Sequence, residues 1–64
     1  MATTIETVTL HQIRMLQAEA QLAGDYEQAA LCEDAEYCLE NDYDRDRPAV
    51  RACVDAINNA EVQS

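Results

Sequence analysis

One pair of residues, Gly24 and Asp25, most constrains how this chain can fold, because it combines a helix stop with a helix start. Gly24 is the only glycine among 64 residues, and glycine readily takes the left-handed backbone conformation that ends many helices. Asp25 followed by Gln28 has the spacing of a capping box, which begins a helix. The pair therefore predicts two helices joined by a tight turn.

Two further signals divide the rest of the chain. Thr9 and Gln12 have the same capping-box spacing, and Val8 is placed to pack on Ile13 across that cap. Pro48 is tolerated in the first turn of a helix and not further in. We therefore predict an all-α three-helix bundle with helices over about 10–23, 26–41 and 47–61, preceded by a flexible segment at 1–8 and followed by a tail at 63–64.

The second and third helices each have one apolar stripe at the helical period of about 100° per residue. The stripe of the second helix consists of Leu31, Ala35, Cys38 and Leu39, with Cys32 at its margin. That of the third consists of Val50, Cys53, Val54, Ile57 and Ala60. The resulting core is expected to be thin, because eleven alanines contribute to the 48% hydrophobic content and the chain has no Phe or Trp.

The first helix differs because it has two apolar faces, about 200° apart. One face carries Ile13, Leu16, Ala20 and Ala23. The other, here called the second apolar face, carries Met15, Ala18 and Leu22. This face either lies under the N-terminal segment with Ile5, or is a scatter of exposed apolar residues, or forms an interface. A homodimer formed through it would supply the burial that a thin core lacks, so the oligomeric state stays open.

The segment 33–46 is strongly acidic. It reads EDAEYCLENDYDRD and contains seven carboxylates, one arginine and no lysine, in a chain of formal net charge −9. Such a surface repels phosphates and anionic lipids and attracts basic surfaces. We therefore expect a basic protein partner, and neither direct nucleic-acid binding nor membrane binding. The residues assigned to partner binding are Glu33, Glu36, Glu40, Asp42, Tyr43, Asp44 and Asp46.

Two details favour partner binding over the alternative, that these acids serve solubility alone. Glu33, Glu36 and Glu40 fall within an arc of about 60° on the second helix and repel one another. Glu40 and Asp42 lie at the C-terminal end of that helix, where the dipole disfavours negative charge. Carboxylates about 5 to 6 Å apart on a helix can present a DNA-like surface to a basic groove. Asp46 is also expected to cap the third helix.

Catalysis and zinc binding are not expected. His11 is the only side chain that ordinarily titrates near neutrality, and no serine or cysteine stands at motif spacing from it. His11, Cys32, Cys38 and Cys53 lack the C-x-x-C pair of a zinc site, and reduced, buried thiols are the default for three cysteines. We predict no enzymatic activity, no cofactor and no metal.

Calcium and DNA binding are also disfavoured. Asp42, Asp44 and Asp46 alternate as in a calcium loop, but the glycine and the glutamate that such a loop needs are missing. Ala20 and Gly24 have a spacing found in helix-turn-helix proteins, but the helix that would enter the DNA groove is acidic. The chain also has neither a run of roughly 18 apolar residues nor a signal-peptide pattern at its start. We expect it in the cytoplasm.

The blocks AGDYEQAALC, residues 23–32, and RACVDAINNA, residues 51–60, resemble a pattern of short uncharacterised proteins of phages and other mobile elements. The likeness covers about half of the chain and departs at the acidic connection NDYDRDRP. It implies a helical fold and carries no activity. Small acidic phage proteins include inhibitors of host defence, among them anti-CRISPR proteins and DNA mimics, and this class analogy implies a host cytoplasm.

Two functional hypotheses follow. The leading one is a phage-type inhibitor whose acidic residues occupy a basic, nucleic-acid-binding surface of a host protein. The alternative is a structural or assembly protein that self-associates through the second apolar face. Salt dependence separates them, because ions screen an acidic contact and leave an apolar one intact.

Overall fold

The computed structural model describes residues 2–63 and shows three α-helices in that range. Helix α1 spans Leu10–Ala23, α2 spans Tyr26–Glu40 and α3 spans Pro48–Gln63. α2 packs against both other helices, whereas the contact between α1 and α3 is much smaller. The predicted all-α three-helix fold is confirmed, and every predicted helix end lies within two residues of the observed one.

The start of α1 has the predicted capping box. The Thr9 hydroxyl accepts a hydrogen bond from the Gln12 backbone N–H at 3.2 Å, and the Gln12 side chain accepts one from the Thr9 backbone N–H at 2.9 Å. Val8 and Ile13, which flank the cap, are both buried and belong to the same core cluster. The cap and its flanking apolar pair are therefore confirmed.

The turn between α1 and α2 is as tight as the Gly24–Asp25 pair predicts. Gly24 has a φ of 76°, and the Asp25 N–H donates to the Ala20 carbonyl at 2.8 Å. The Asp25 carboxylate caps α2 by accepting from the Gln28 N–H at 3.2 Å. The Gln28 side chain does not complete a capping box: the Asp25 N–H is already used by Ala20, and the Gln28 amide lies near the Cys32 sulfur instead.

The core lies between the three helices and is closed by Val8. Its central positions are held by residues that are completely buried, among them Cys32, Ala35, Val50 and Cys53. Cys32 was placed at the margin of its stripe by the sequence, and this prediction is wrong. Two other stripe positions are wrong as well, because Ala23 and Ala60 are exposed. Ala23 is the last residue before the turn, and Ala60 lines an open groove between α1 and α3.

The segment before α1 is attached to the bundle by two sets of hydrogen bonds. The Thr3 N–H donates to the Asn58 amide oxygen and the Asn58 amide donates to the Thr3 carbonyl, both at 2.9 Å. Arg45 donates through Nη1 to the carbonyls of Ile5, Glu6 and Val8 at 2.9 to 3.1 Å. The flexibility expected for 1–8 stays a prediction, and positions 1 and 64 of the predicted termini lie outside the described residues.

Candidate protein-binding surfaces

The acidic strip predicted on α2, which consists of Glu33, Glu36 and Glu40, is partly neutralised by an arginine of the neighbouring helix. Arg14 on α1 donates through Nε to Glu36 at 2.8 Å and through Nη2 to Glu40 at 3.0 Å. These hydrogen bonds, first of all the one to Glu36, raise the pKa of Arg14. Two of the three strip carboxylates therefore share an arginine, and their mutual repulsion is smaller than the sequence of α2 alone suggests. Glu33 is exposed and takes no part in this bridge.

Two acids of the connection between α2 and α3 make local contacts. The Asp44 carboxylate accepts from the Asp46 N–H at 2.9 Å. The Asp46 carboxylate pairs with the Arg51 guanidinium, and the hydrogen bond from Arg51 lowers the pKa of Asp46. Asp46 was expected to act as a cap for α3, and its side chain instead binds another side chain one turn further along. Both acids stay exposed to solvent.

Asp42 ends α2 in an unusual backbone conformation. Its φ is 56°, in the left-handed region, and it is the one non-glycine residue of the described chain with a positive φ. The Tyr43 N–H then donates to the Cys38 carbonyl at 3.0 Å, which closes the helix end. Asp42 is exposed, so its charge is presented at the end of α2 where the helix dipole disfavours it.

All three tyrosines, which are the only aromatic residues of the chain, are exposed. Tyr37 and Tyr43 pack against each other with ring centroids 5.6 Å apart, and the Arg47 guanidinium lies 5.7 Å from the centroid of Tyr43. Tyr26, at the start of α2, is 75% exposed. Because tyrosine is enriched in protein interfaces, its placement beside the acids indicates a surface suited to a protein partner.

Every positive side chain of the protein is engaged within the chain. The four are Arg14 with Glu36 and Glu40, Arg45 with three carbonyls, Arg47 with the Tyr43 ring, and Arg51 with Asp46. On the outer side of α2, Glu33 and Asp34 are exposed and form no ion pair with any described residue. Asp34 was not among the predicted binding residues, because it lies about 100° from Glu33 around the helix, outside the arc of Glu33, Glu36 and Glu40.

A groove follows the outer side of α2 toward the start of α3. It consists of two adjoining depressions of about 380 and 400 Å³ that share Leu31 and Asp34. Its other lining residues are Glu27 and Ala30 at one end and Tyr37, Cys38, Arg47, Pro48 and Ala49 at the other. We call it the α2 groove. Its lining is mostly apolar, with two carboxylates, one tyrosine ring and one guanidinium.

The second apolar face of α1 is open. Leu22 is 90% exposed, Met15 is 53% exposed and Ala18 is exposed. Ile5, the residue expected to cover this face, packs against the core cluster instead. Met15 also borders the groove of about 220 Å³ between α1 and α3, together with His11, Leu16 and other residues. The face is therefore available either as scattered apolar surface or as an interface.

The three cysteines are free and buried. Cys53 lies on α3 with its sulfur 3.7 Å from that of Cys32 on α2. Burial raises the pKa of Cys53 to about 12 and also raises the pKa of Cys32. Thiols held in the protonated form are poor nucleophiles. Their arrangement is therefore that of packed core residues.

His11, the other candidate for chemistry, is exposed on the first turn of α1 and lines the groove between α1 and α3. Within the described residues, no group of three or more His, Cys, Asp or Glu side chains is arranged to hold a metal ion. None of the helices in this part of the chain is both long enough and apolar enough to span a membrane.

Comparison with protein-family models, with curated proteins and with solved structures finds no match for this chain. The function must therefore follow from the surface of the protein. Its main features are the unpaired acids of α2, the three exposed tyrosines, the α2 groove and the second apolar face of α1.

Proposed function

We propose that this protein works by stoichiometric binding to a basic surface of another protein, through α2 and the connection that follows it. The observation that carries the proposal is that all four arginines are engaged within the chain. Within the described residues, no free arginine therefore offsets the exposed acids that give the formal net charge of −9. Two exposed tyrosines on α2, Tyr26 and Tyr37, and a third in the connection, Tyr43, add apolar contact area to this segment.

The form of this function that we favour is inhibition. A phage-type protein of this charge would occupy the nucleic-acid-binding surface of a host defence or nucleic-acid-handling protein in the cytoplasm, as DNA mimics and anti-CRISPR proteins do. The resemblance of residues 23–32 and 51–60 to phage and mobile-element proteins carries no activity, so the inhibitory role rests on analogy with other small acidic phage proteins. Because Arg14 pairs with Glu36 and Glu40, these two carboxylates are less suited to imitate phosphates. Glu33, Asp42 and Asp44 are therefore the stronger candidates for contact with a partner.

The test is a pull-down from host lysate at low and high salt with charge-matched variants. One variant carries Glu33→Gln and Asp44→Asn, and its control carries Glu19→Gln and Asp55→Asn, which remove the same charge from α1 and α3. We expect the first to lose partners that wild type retains at low salt, and the control to keep them. If both variants capture the same proteins as wild type at every salt concentration, the acidic surface is not the binding site.

Self-association is the second candidate function, and the 90% exposure of Leu22 favours it. Sedimentation of wild type, Leu22→Glu and Gln21→Glu tests it, because Gln21 is also exposed on α1 and gains the same charge. We expect Leu22→Glu alone to shift a wild-type dimer toward monomer. Wild type that sediments as a monomer at micromolar concentration would contradict this candidate and leave the acidic-surface proposal in place.

A further inference from the structure

The α2 groove narrows the kind of partner that the proposed function requires. Its floor is apolar, because Ala30 and the half-buried Leu31 line one end and Pro48 and Ala49 the other. Its charged lining residues are two carboxylates, those of Glu27 and Asp34, and one guanidinium, that of Arg47, which already contacts the Tyr43 ring. A ligand that fills it must therefore offer apolar surface along its length and positive charge at its tip. Among protein side chains, lysine and arginine have this construction.

Two observations favour arginine over lysine. Tyr37 lines the groove beside Asp34 and is 58% exposed, so an aromatic ring and a carboxylate stand at the same place. A planar guanidinium can stack on the ring and donate hydrogen bonds to the carboxylate together, whereas an ammonium group is a compact point charge. The protein already shows the first of these contacts internally, between Arg47 and Tyr43 at 5.7 Å.

We propose that the α2 groove binds an arginine side chain of a basic protein partner, with the stem over Leu31 and the guanidinium between Asp34 and Tyr37. The inference rests on the proposed function, since it names the residues through which the acidic surface would hold its partner. Charge complementarity selects this occupant over a second copy of the chain, because two molecules of net charge −9 repel each other. Arg47 lines the same depression as Asp34 and Tyr37, and its guanidinium lies 5.7 Å from the centroid of the Tyr43 ring.

The experiment is an NMR titration of the full chain with two peptides of the same length, an oligo-arginine and an oligo-lysine. We expect the arginine peptide to bind about three-fold or more tightly, in line with guanidinium stacking on an exposed tyrosine. The largest amide shifts should fall at Leu31, Asp34 and Ala49. Dilution of the chain alone should leave these signals unchanged, and movement on dilution would identify a second copy as the occupant and overturn the proposal.

Two variants that remove the same charge locate the site. Asp34→Asn should weaken binding of the arginine peptide roughly five-fold, because a charge-assisted hydrogen bond is lost. Glu19→Gln, which lies on α1 outside the groove, should change the affinity less than about two-fold. Circular dichroism of each variant confirms that it is folded. A third variant, Tyr37→Leu, removes the aromatic ring without changing the charge, so it separates the effect of the ring from that of the Asp34 carboxylate.

The outcomes distinguish this inference from the proposed function. If both peptides bind wild type with equal affinity and Asp34→Asn matches Glu19→Gln, the groove is not a site, while salt-sensitive attraction to basic chains stands. If neither peptide binds wild type at low salt, both the inference and the proposed function are overturned. Selective loss of arginine binding in Asp34→Asn supports both.

Discussion

Asp42, two residues after the end of α2, has the same left-handed backbone conformation as Gly24, the residue after the end of α1. Their φ angles are 56° and 76°, and in each case the next N–H donates to the carbonyl five residues earlier. Glycine takes this left-handed conformation at little cost, whereas a residue with a side chain is strained there. Asp42 adds an unfavourable charge at the end of the helix. The two helices thus use the same ending with residues of very different suitability.

Replacement of Asp42 by glycine should stabilise the protein. We expect Asp42→Gly to raise the free energy of unfolding by about 0.5 to 1 kcal/mol, since backbone strain and the charge at the helix end are both removed. Urea unfolding followed by circular dichroism measures this, and Asp42→Asn, which removes the charge alone, should gain less. A glycine variant less stable than wild type would show that the Asp42 side chain stabilises the fold.

The converse change at Gly24 should destabilise it. Gly24→Ala is expected to lower the free energy of unfolding by about 1 kcal/mol, because alanine is disfavoured in the left-handed region. An added Cβ would meet no atom within 4 Å, so the loss would come from the backbone conformation and not from a clash. The same urea experiment measures it. Equal stability of Gly24→Ala and wild type would mean that the turn can rearrange.

Arg45 is expected to contribute more to stability than any other arginine. It is half-buried and donates to three carbonyls of the N-terminal segment, so Arg45→Met should cost about 1.5 to 3 kcal/mol. Arg47→Met is the matched control, since it removes the same charge from the same connection but loses chiefly a contact with an exposed ring. Thermal unfolding compares the two. Similar losses in both variants would refute a specific anchoring role for Arg45.

Removal of Arg14 should strengthen binding to basic ligands. Arg14→Gln releases Glu36 and Glu40, and because its ion pairs are exposed we expect little change in stability. Affinity for the oligo-arginine peptide should rise about two-fold or more at low salt. In a background of Glu36→Gln and Glu40→Gln the same change should give a smaller gain. Equal gains in both backgrounds would indicate net charge alone, without a role for these two glutamates.

Burial of Cys53 should make stability depend on alkaline pH. The native state raises the pKa of this thiol from its ordinary value of 9.0 to about 12. Below pH 9.0 the Cys53 thiol is protonated in both the native and the unfolded state. Above pH 9.0 the thiol of the unfolded state loses its proton first, so the free energy of unfolding falls as pH rises toward the native pKa. Urea unfolding at several alkaline pH values should show a shallower decline in Cys53→Ala. The same pH dependence of stability in wild type and Cys53→Ala would contradict a raised pKa for the Cys53 thiol.

The parts of the fold that could be predicted from the sequence rest on interactions between close neighbours. Thr9 with Gln12 and Asp25 with Gln28 are three positions apart, so their side-chain to backbone contacts follow from spacing alone. The stripe of α3 was also recognisable, because Val50, Cys53, Val54 and Ile57 recur at the helical period and all are buried. The prediction that Ala60 is buried was wrong, because periodicity gives the direction in which a side chain points and not how far the neighbouring helices extend.

The candidate site was predicted less completely for the same reason. The acids of residues 33–46 are evident from composition, but the partner of Glu36 and Glu40 is Arg14, more than twenty positions away. Asp34 and Tyr26 were not selected, because their importance depends on which side of α2 faces solvent. Tyr43 was predicted as a binding residue, and Tyr26 could have been suspected as well, because it also lies on the acidic second helix.

The sequence by itself determined where the helices begin and end to within two residues, most of the buried face of α3 and the negative sign of the net charge. Only the tertiary structure decided that Arg45 holds the N-terminal segment, that Arg14 bridges two acids of α2 and that Leu22 stays open. The physical reason is the distance along the chain over which each interaction acts. Caps and helical periods act within a few residues, whereas ion pairing and burial depend on how three helices are rotated and packed against one another.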